Sequence, residues 1–139
     1  MVDGNQGRDR MGRTAVHYCV LRGDVAGLRA ALAEGVDAGL ADRAGMTPLH
    51  FAGQAQAAAA AEVLLAAGAP VDAGDAHGGT ALFTAVFNYR GDPRTIQVLL
   101  DAGADPERRN ARGVSPRTLA EQVANYDVAA HMPGARPAH

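Results

Sequence analysis

Residues 42–52 read Asp42-Arg43-Ala44-Gly45-Met46-Thr47-Pro48-Leu49-His50-Phe51-Ala52. A short aspartate side chain accepts hydrogen bonds from backbone amides just ahead of it, and glycine takes positive φ freely, so Asp42 to Gly45 reads as a turn. Thr47 then offers its hydroxyl to the orphan amides of a helix start, and Pro48 at the first helical position has no amide to lose. The stretch is a loop tip that runs directly into a helix. Further on, Val63-Leu64-Leu65-Ala66-Ala67-Gly68-Ala69 is the end of a second apolar helix, stopped at Gly68, where a left-handed cap is expected.

The same pattern recurs along the chain. A glycine followed two residues later by Thr or Ser occurs at Gly12/Thr14, Gly45/Thr47, Gly78/Thr80 and Gly113/Ser115, at spacings of 33, 33 and 35 residues. Upstream of these glycines stand Asp9, Asp42, Asp75 and Asn110, each suited to open the turn. Downstream come Ala15-Val16-His17, Pro48-Leu49-His50, Ala81-Leu82-Phe83 and Pro116-Arg117-Thr118, then the small residues Cys19, Ala52, Ala85 and Ala120, which permit close helix packing. Second helices carry Val25, Leu28 and Leu32, then Val63 to Leu65, then Ile96, Val98, Leu99 and Leu100, and stop at Gly35, Gly68 and Gly103. One such helix pair cannot bury its apolar face alone, whereas a stack can, with atypical units at its ends.

In these columns the chain resembles the ankyrin-repeat family, and 42–52 with 63–69 is nearly a complete repeat. The resemblance implies an all-α solenoid of stacked antiparallel helix pairs with projecting β-turn loops. Its repeats span about 9–41, 42–74, 75–109 and 110–132, within one domain over 9–132 flanked by tails 1–8 and 133–139 that are expected to be flexible. The last repeat is a truncated cap, with Arg117 in a core leucine position and a short polar second helix from Tyr126 to Met132. The resemblance further implies a module that grips a folded protein through its loop ledge and concave face, acting as an inhibitor, immunity protein or adaptor, without catalysis, cofactor or metal.

Composition agrees with a thin stack. Of 139 residues only 4% are aromatic, Trp is absent and much of the 47% apolar fraction is alanine, so a thick core of bulky side chains is hard to assemble. Fifteen acids against 13 bases give a net charge of -2, which supplies no general pull towards nucleic acid or an anionic membrane. All the bases are arginine, a bias that GC-rich coding produces and that points to a bacterial source. The single cysteine makes no internal disulfide, the first residues lack a signal-peptide core, and no apolar run reaches the roughly 20 residues of a membrane span. These features suggest a cytoplasmic monomer.

The loop columns that ankyrin proteins leave variable hold Arg10, Met11 and Arg13, then Arg43, Ala44 and Met46, then Ala76, His77 and Gly79, then Ala111, Arg112 and Val114. This row suits an acidic partner surface edged with apolar patches, because Arg forks onto carboxylates and Met adapts in shape. Leu21, Arg22, Gln54 and Ala55 extend it onto the ends of the first helices. The third repeat carries a two-residue excess at Phe87-Asn88-Tyr89-Arg90-Gly91-Asp92-Pro93, so its inter-helix turn must bulge; in the ankyrin fold that turn edges the concave side. Aromatic residues and Arg are enriched at binding hot spots. The candidate partner-binding set is therefore Arg10, Met11, Arg13, Arg22, Arg43, Met46, Gln54, His77, Phe87, Asn88, Tyr89, Arg90 and Arg112, with one of the rings Phe87 and Tyr89 expected to fold back onto the stack.

Two other readings compete. The arginine row could bind nucleic acid, against which stand the acid excess and an aspartate at most loop tips; an enzyme could be built on the bulged third repeat, yet no carboxylate pair has a recognisable catalytic setting. His17 and Cys19 lie two residues apart, about 200° around a helix, which disfavours a nucleophilic pair. In the ankyrin family His17 and His50 occupy a column that braces adjacent loops, so Phe83 should end that hydrogen-bond series and put an aromatic contact in its place. His77, His131 and His139 lack ligand spacing, and Gly74, Gly78 and Gly79 are turn residues outside any phosphate-loop setting.

Overall fold

The structure, a computed structural model, describes residues 9–122. The expected tails at 1–8 and 133–139, and the second helix of the fourth repeat, lie outside these residues. Among the described residues there are seven helices and no strand: α1 (Ala15–Arg22), α2 (Val25–Ala33), α3 (Pro48–Ala55), α4 (Ala58–Ala66), α5 (Ala81–Phe87), α6 (Arg94–Asp101) and α7 (Pro116–Gln122). This is the expected all-α repeat solenoid.

The loops form as their side chains dictate. Asp42 Oδ1 accepts the backbone N–H of Ala44 and of Met46, each at 2.9 Å. Asp9, Asp75 and Asn110 do the same in their own repeats. Gly45 closes the turn at φ +76, and a Cβ there would lie 2.7 Å from the Ala76 nitrogen of the next loop. Glycine is needed twice over, for its left-handed backbone and for the room it leaves. The loops are then joined backbone to backbone: Arg43 N–H donates to Met11 C=O at 2.8 Å, Ala76 N–H to Ala44 C=O at 2.9 Å and Ala111 N–H to His77 C=O at 2.8 Å.

Helix starts tie each repeat to the next. Thr47 Oγ1 and Thr80 Oγ1 accept the N–H of His50 and Phe83, and Ser115 Oγ accepts that of Thr118. In the first two repeats the histidine ring answers: Nδ1 of His17 and of His50 accepts the backbone N–H of Thr14 and Thr47, each at 3.0 Å. An amide can only donate, so Nδ1 is bare and the proton sits on Nε2. Nε2 donates to the C=O of Met46 at 3.1 Å from His17, and to that of Gly79 at 2.8 Å from His50. Burial holds the His50 pKa below the ordinary imidazole value, outweighing the Gly79 bond and the charges of Asp75 and Asp42 that favour protonation.

Packing follows the columns. First helices stack as α1, α3, α5 and α7, second helices as α2, α4 and α6, and each second helix lies on its own first helix. Leu28, Leu49, Leu64, Leu82, Ile96 and Leu99 are fully buried between them, and the small-residue column Cys19, Ala52, Ala85 and Ala120 is buried as well. Gly53 lets α3 lie close against α5, because a Cβ there would stand 2.7 Å from Ala81 O. Second helices end as anticipated, with Gly35, Gly68 and Gly103 at φ between 91 and 95°. Gln56, which stands where the first repeat has Gly23, is the sole non-glycine with positive φ (+54°) among the described residues. Its Nε2 donates to Gly53 C=O and Ala85 C=O, linking the α3–α4 turn to α5.

Candidate interaction surface

The bonded loops present one row of side chains on a fixed mount. Arg10, Met11, Arg43, His77 and Arg112 are exposed along it. Arg10, Arg43 and Arg112 form no ion pair among the described residues, so their guanidinium groups keep all their donors for an incoming carboxylate. Beside the row, the exposed residues Leu21, Gln54 and Phe87 recur near the ends of α1, α3 and α5. Arg22 is exposed too, with its guanidinium carbon 5.8 Å from the centre of the Tyr18 ring. The Tyr18 hydroxyl donates to Asp9, which holds the Asp9 carboxyl below its usual range and pushes the Tyr18 phenol up.

Three residues expected on this surface are engaged elsewhere. Arg13 is half-buried between repeats: its Nε is 3.4 Å from Asp42 Oδ2 and its guanidinium carbon 5.1 Å from the Phe51 ring centre. The apolar ring and the carboxylate draw it inward. Met46 is half-buried against the core, and its carbonyl serves His17. Tyr89 is 7% exposed, because the bulged turn carries its ring into the core. Phe87 is 70% exposed, so of the two rings it is Tyr89 that folds back. Asn88 is half-buried with Nδ2 bonded to Thr84 C=O, while Arg90 is exposed. The turn continues through an exposed pair in which Arg94 lowers the pKa of the Asp92 carboxyl.

The break in the histidine series opens a hollow. His17 and His50 reach the next loop through Nε2, but Phe83, in the same column, has no nitrogen with which to do so. Its half-exposed ring instead helps line an open hollow of about 230 Å³ with His77, Thr84, Phe87, Asn88 and Asn110. The aromatic contact expected of Phe83 does not form: the ring pair found among the described residues joins His17 and Phe51, and nothing in the sequence pointed to Thr84. The interrupted column at position 83 was the available signal.

Among the described residues, no group of three or more His, Cys, Asp or Glu side chains is placed to hold a metal ion, and no helix is long and apolar enough to cross a membrane. Cys19 is buried at the α1 packing face, and burial, with the charge of Asp24 as a lesser cause, pushes its thiol pKa up, away from the nucleophilic thiolate.

Comparison with known proteins agrees with the geometry. A family model for ankyrin repeats in three copies matches residues 16–110. The chain is also 30% identical over 135 residues to an intracellular phospholipase A2 of Caenorhabditis elegans, a match that takes in 92% of this chain and 13% of that protein.

Proposed function

The chain belongs to the ankyrin-repeat family, and on that premise we propose that it binds a folded protein partner, using the loop row and the adjoining helix ends as its contact surface. Ankyrin repeats are protein-interaction modules, and a surface built from rigidly joined repeats gains affinity by losing little freedom on docking. One observation carries the reading: Arg10, Arg43 and Arg112 stand exposed on loops that are hydrogen-bonded to one another through the backbone. Such fixed cations favour a partner with an acidic patch, and the exposed Met11 and Phe87 favour apolar contact beside it. We assign Arg10, Met11, Arg22, Arg43, Gln54, His77, Phe87, Asn88, Arg90 and Arg112 to this surface. Arg13, Met46 and Tyr89 support it from within.

A module that acts as a monomer in a bacterial cytoplasm and masks or positions its partner, as an inhibitor, immunity protein or adaptor, fits these properties. The phospholipase likeness spans 13% of that enzyme, so we read it as a likeness of repeats and carry no lipolytic activity over to this chain. The net charge of -2 weighs against nucleic acid as the partner. The test is affinity capture with the full chain beside a triple variant, Arg10→Ala, Arg43→Ala and Arg112→Ala. Loss of each charged hot-spot contact costs about 2 kcal/mol or more, so the triple variant should lose its partner while keeping its helical spectrum. A partner held equally by both proteins would remove the row from the surface.

A further inference from the structure

We infer that the hollow beside Phe83 is a specificity pocket that receives one aromatic side chain of the partner, presented on an acidic segment. The inference rests on the protein-binding reading above and names the chemistry of the contact.

Size selects the occupant. Ligand pockets for drug-sized molecules run to about 300–1,000 Å³, which exceeds this hollow, while an apolar cavity of roughly 150 Å³ already takes a benzene ring. A hollow of about 230 Å³ therefore suits a single ring with its first methylene. Its lining selects an apolar occupant as well: the rings of Phe83 and Phe87 form the walls, and Phe87 at 70% exposure leaves an aromatic face in water for a partner ring to cover. Polar side chains are confined to Asp75, His77, Thr84, Asn88 and Asn110, and most are already engaged. Thr84 Oγ1 donates to Thr80 C=O, Asn88 Nδ2 donates to Thr84 C=O, and Asn110 Oδ1 accepts two loop amides.

Charge selects what flanks the ring. The Asp75 carboxylate in the lining has its Oδ1 committed to the amides of His77 and Gly79, and Asp92 is paired with Arg94. Ala111 is bonded to His77 and precedes the exposed Arg112, and Asn88 lies two residues before the exposed Arg90. Neither arginine has an ion pair among the described residues. Free cations on the loop and the turn that supply lining residues complement a ring carried on an acidic segment, and they disfavour a basic one.

The experiment selects peptides from a random display library on the full chain and measures the best of them, as synthetic peptides, by fluorescence anisotropy. The expected winners carry Phe, Tyr or Trp with Asp or Glu close by in sequence. Thr84→Trp, which fills the hollow, should weaken them by about tenfold or more, and Arg112→Ala by a few-fold with a shallower salt dependence. Phe83→His is a second route, because it restores the ring nitrogen found at His17 and His50 and draws the side chain towards the last loop; it should weaken the same peptides. Winners without an aromatic residue, or winners indifferent to both Thr84→Trp and Phe83→His, overturn the pocket. Peptides that lose affinity only with Arg10→Ala and Arg43→Ala overturn it too, yet leave the loop row standing as a protein-binding surface. Self-association that Phe87→Ser abolishes would make a second copy the occupant and equally overturn the proposal.

Discussion

His50 joins two loops only while its ring is neutral, because Nδ1 must stay bare to accept the Thr47 amide and the ring is 1% exposed. Its pKa lies below the unfolded value, chiefly through burial. A depressed pKa means that the unfolded chain takes up the proton first, so this contribution to stability is complete above about pH 6.5 and is lost as pH falls towards the folded-state value. Urea unfolding between pH 7.5 and 5 is expected to show stability falling below pH 6.5. His50→Gln, which has no titrating ring, should flatten that portion of the profile; an unchanged slope would assign the pH dependence to other groups. The bracing role of His50 was legible in sequence from its column. The inward turn of Arg13 and Met46 was not, since a loop column says which residues share a row but not which find a ring, a carboxylate or a core within reach in the adjacent repeat.

Between helices, Gly53 marks a close approach of α3 to α5. On an isolated helix Gly→Ala gains about 1 kcal/mol, so the substitution separates propensity from packing. In this chain the added methyl would meet Ala81 O at 2.7 Å and Ala85 N at 3.2 Å, both backbone atoms that cannot swing aside. Gly53→Ala is therefore expected to destabilise by about 1–3 kcal/mol in denaturant titration, and any gain in stability would mean that the helices sit further apart than described. The helix order, the caps and the bulge of the third repeat were all readable from a 33-residue period and its interruption. Gln56 escaped that reading, although Gly23 one period earlier marks the left-handed position, because its compensation lies in a side-chain link to Ala85 on another helix. The hollow escaped for a related reason. Phe83 was visible as a broken column, but the space its ring leaves depends on α5 and two loops together.

At the scale of the molecule, the substantial helix contacts among the described residues fall within a repeat or between neighbours in line, so local stability should grade from the ends to the middle. Hydrogen exchange can read this at the amides of Arg43, Ala76 and Ala111, which are chemically alike in that each donates to the preceding loop. The Ala76 amide, with a repeat pair on each side, is expected to exchange slowest. Equal protection at all three would indicate a single cooperative block instead of a graded array. The loop-to-loop bonds carry a geometric consequence as well. Since neighbouring first helices stand roughly 8–10 Å apart, Arg10 and Arg43 form a two-pronged gauge of that pitch, and Arg112 adds a third prong two junctions along. Acidic groups clustered at one point would satisfy a single prong, whereas a matching molecule must space its charges to the same measure.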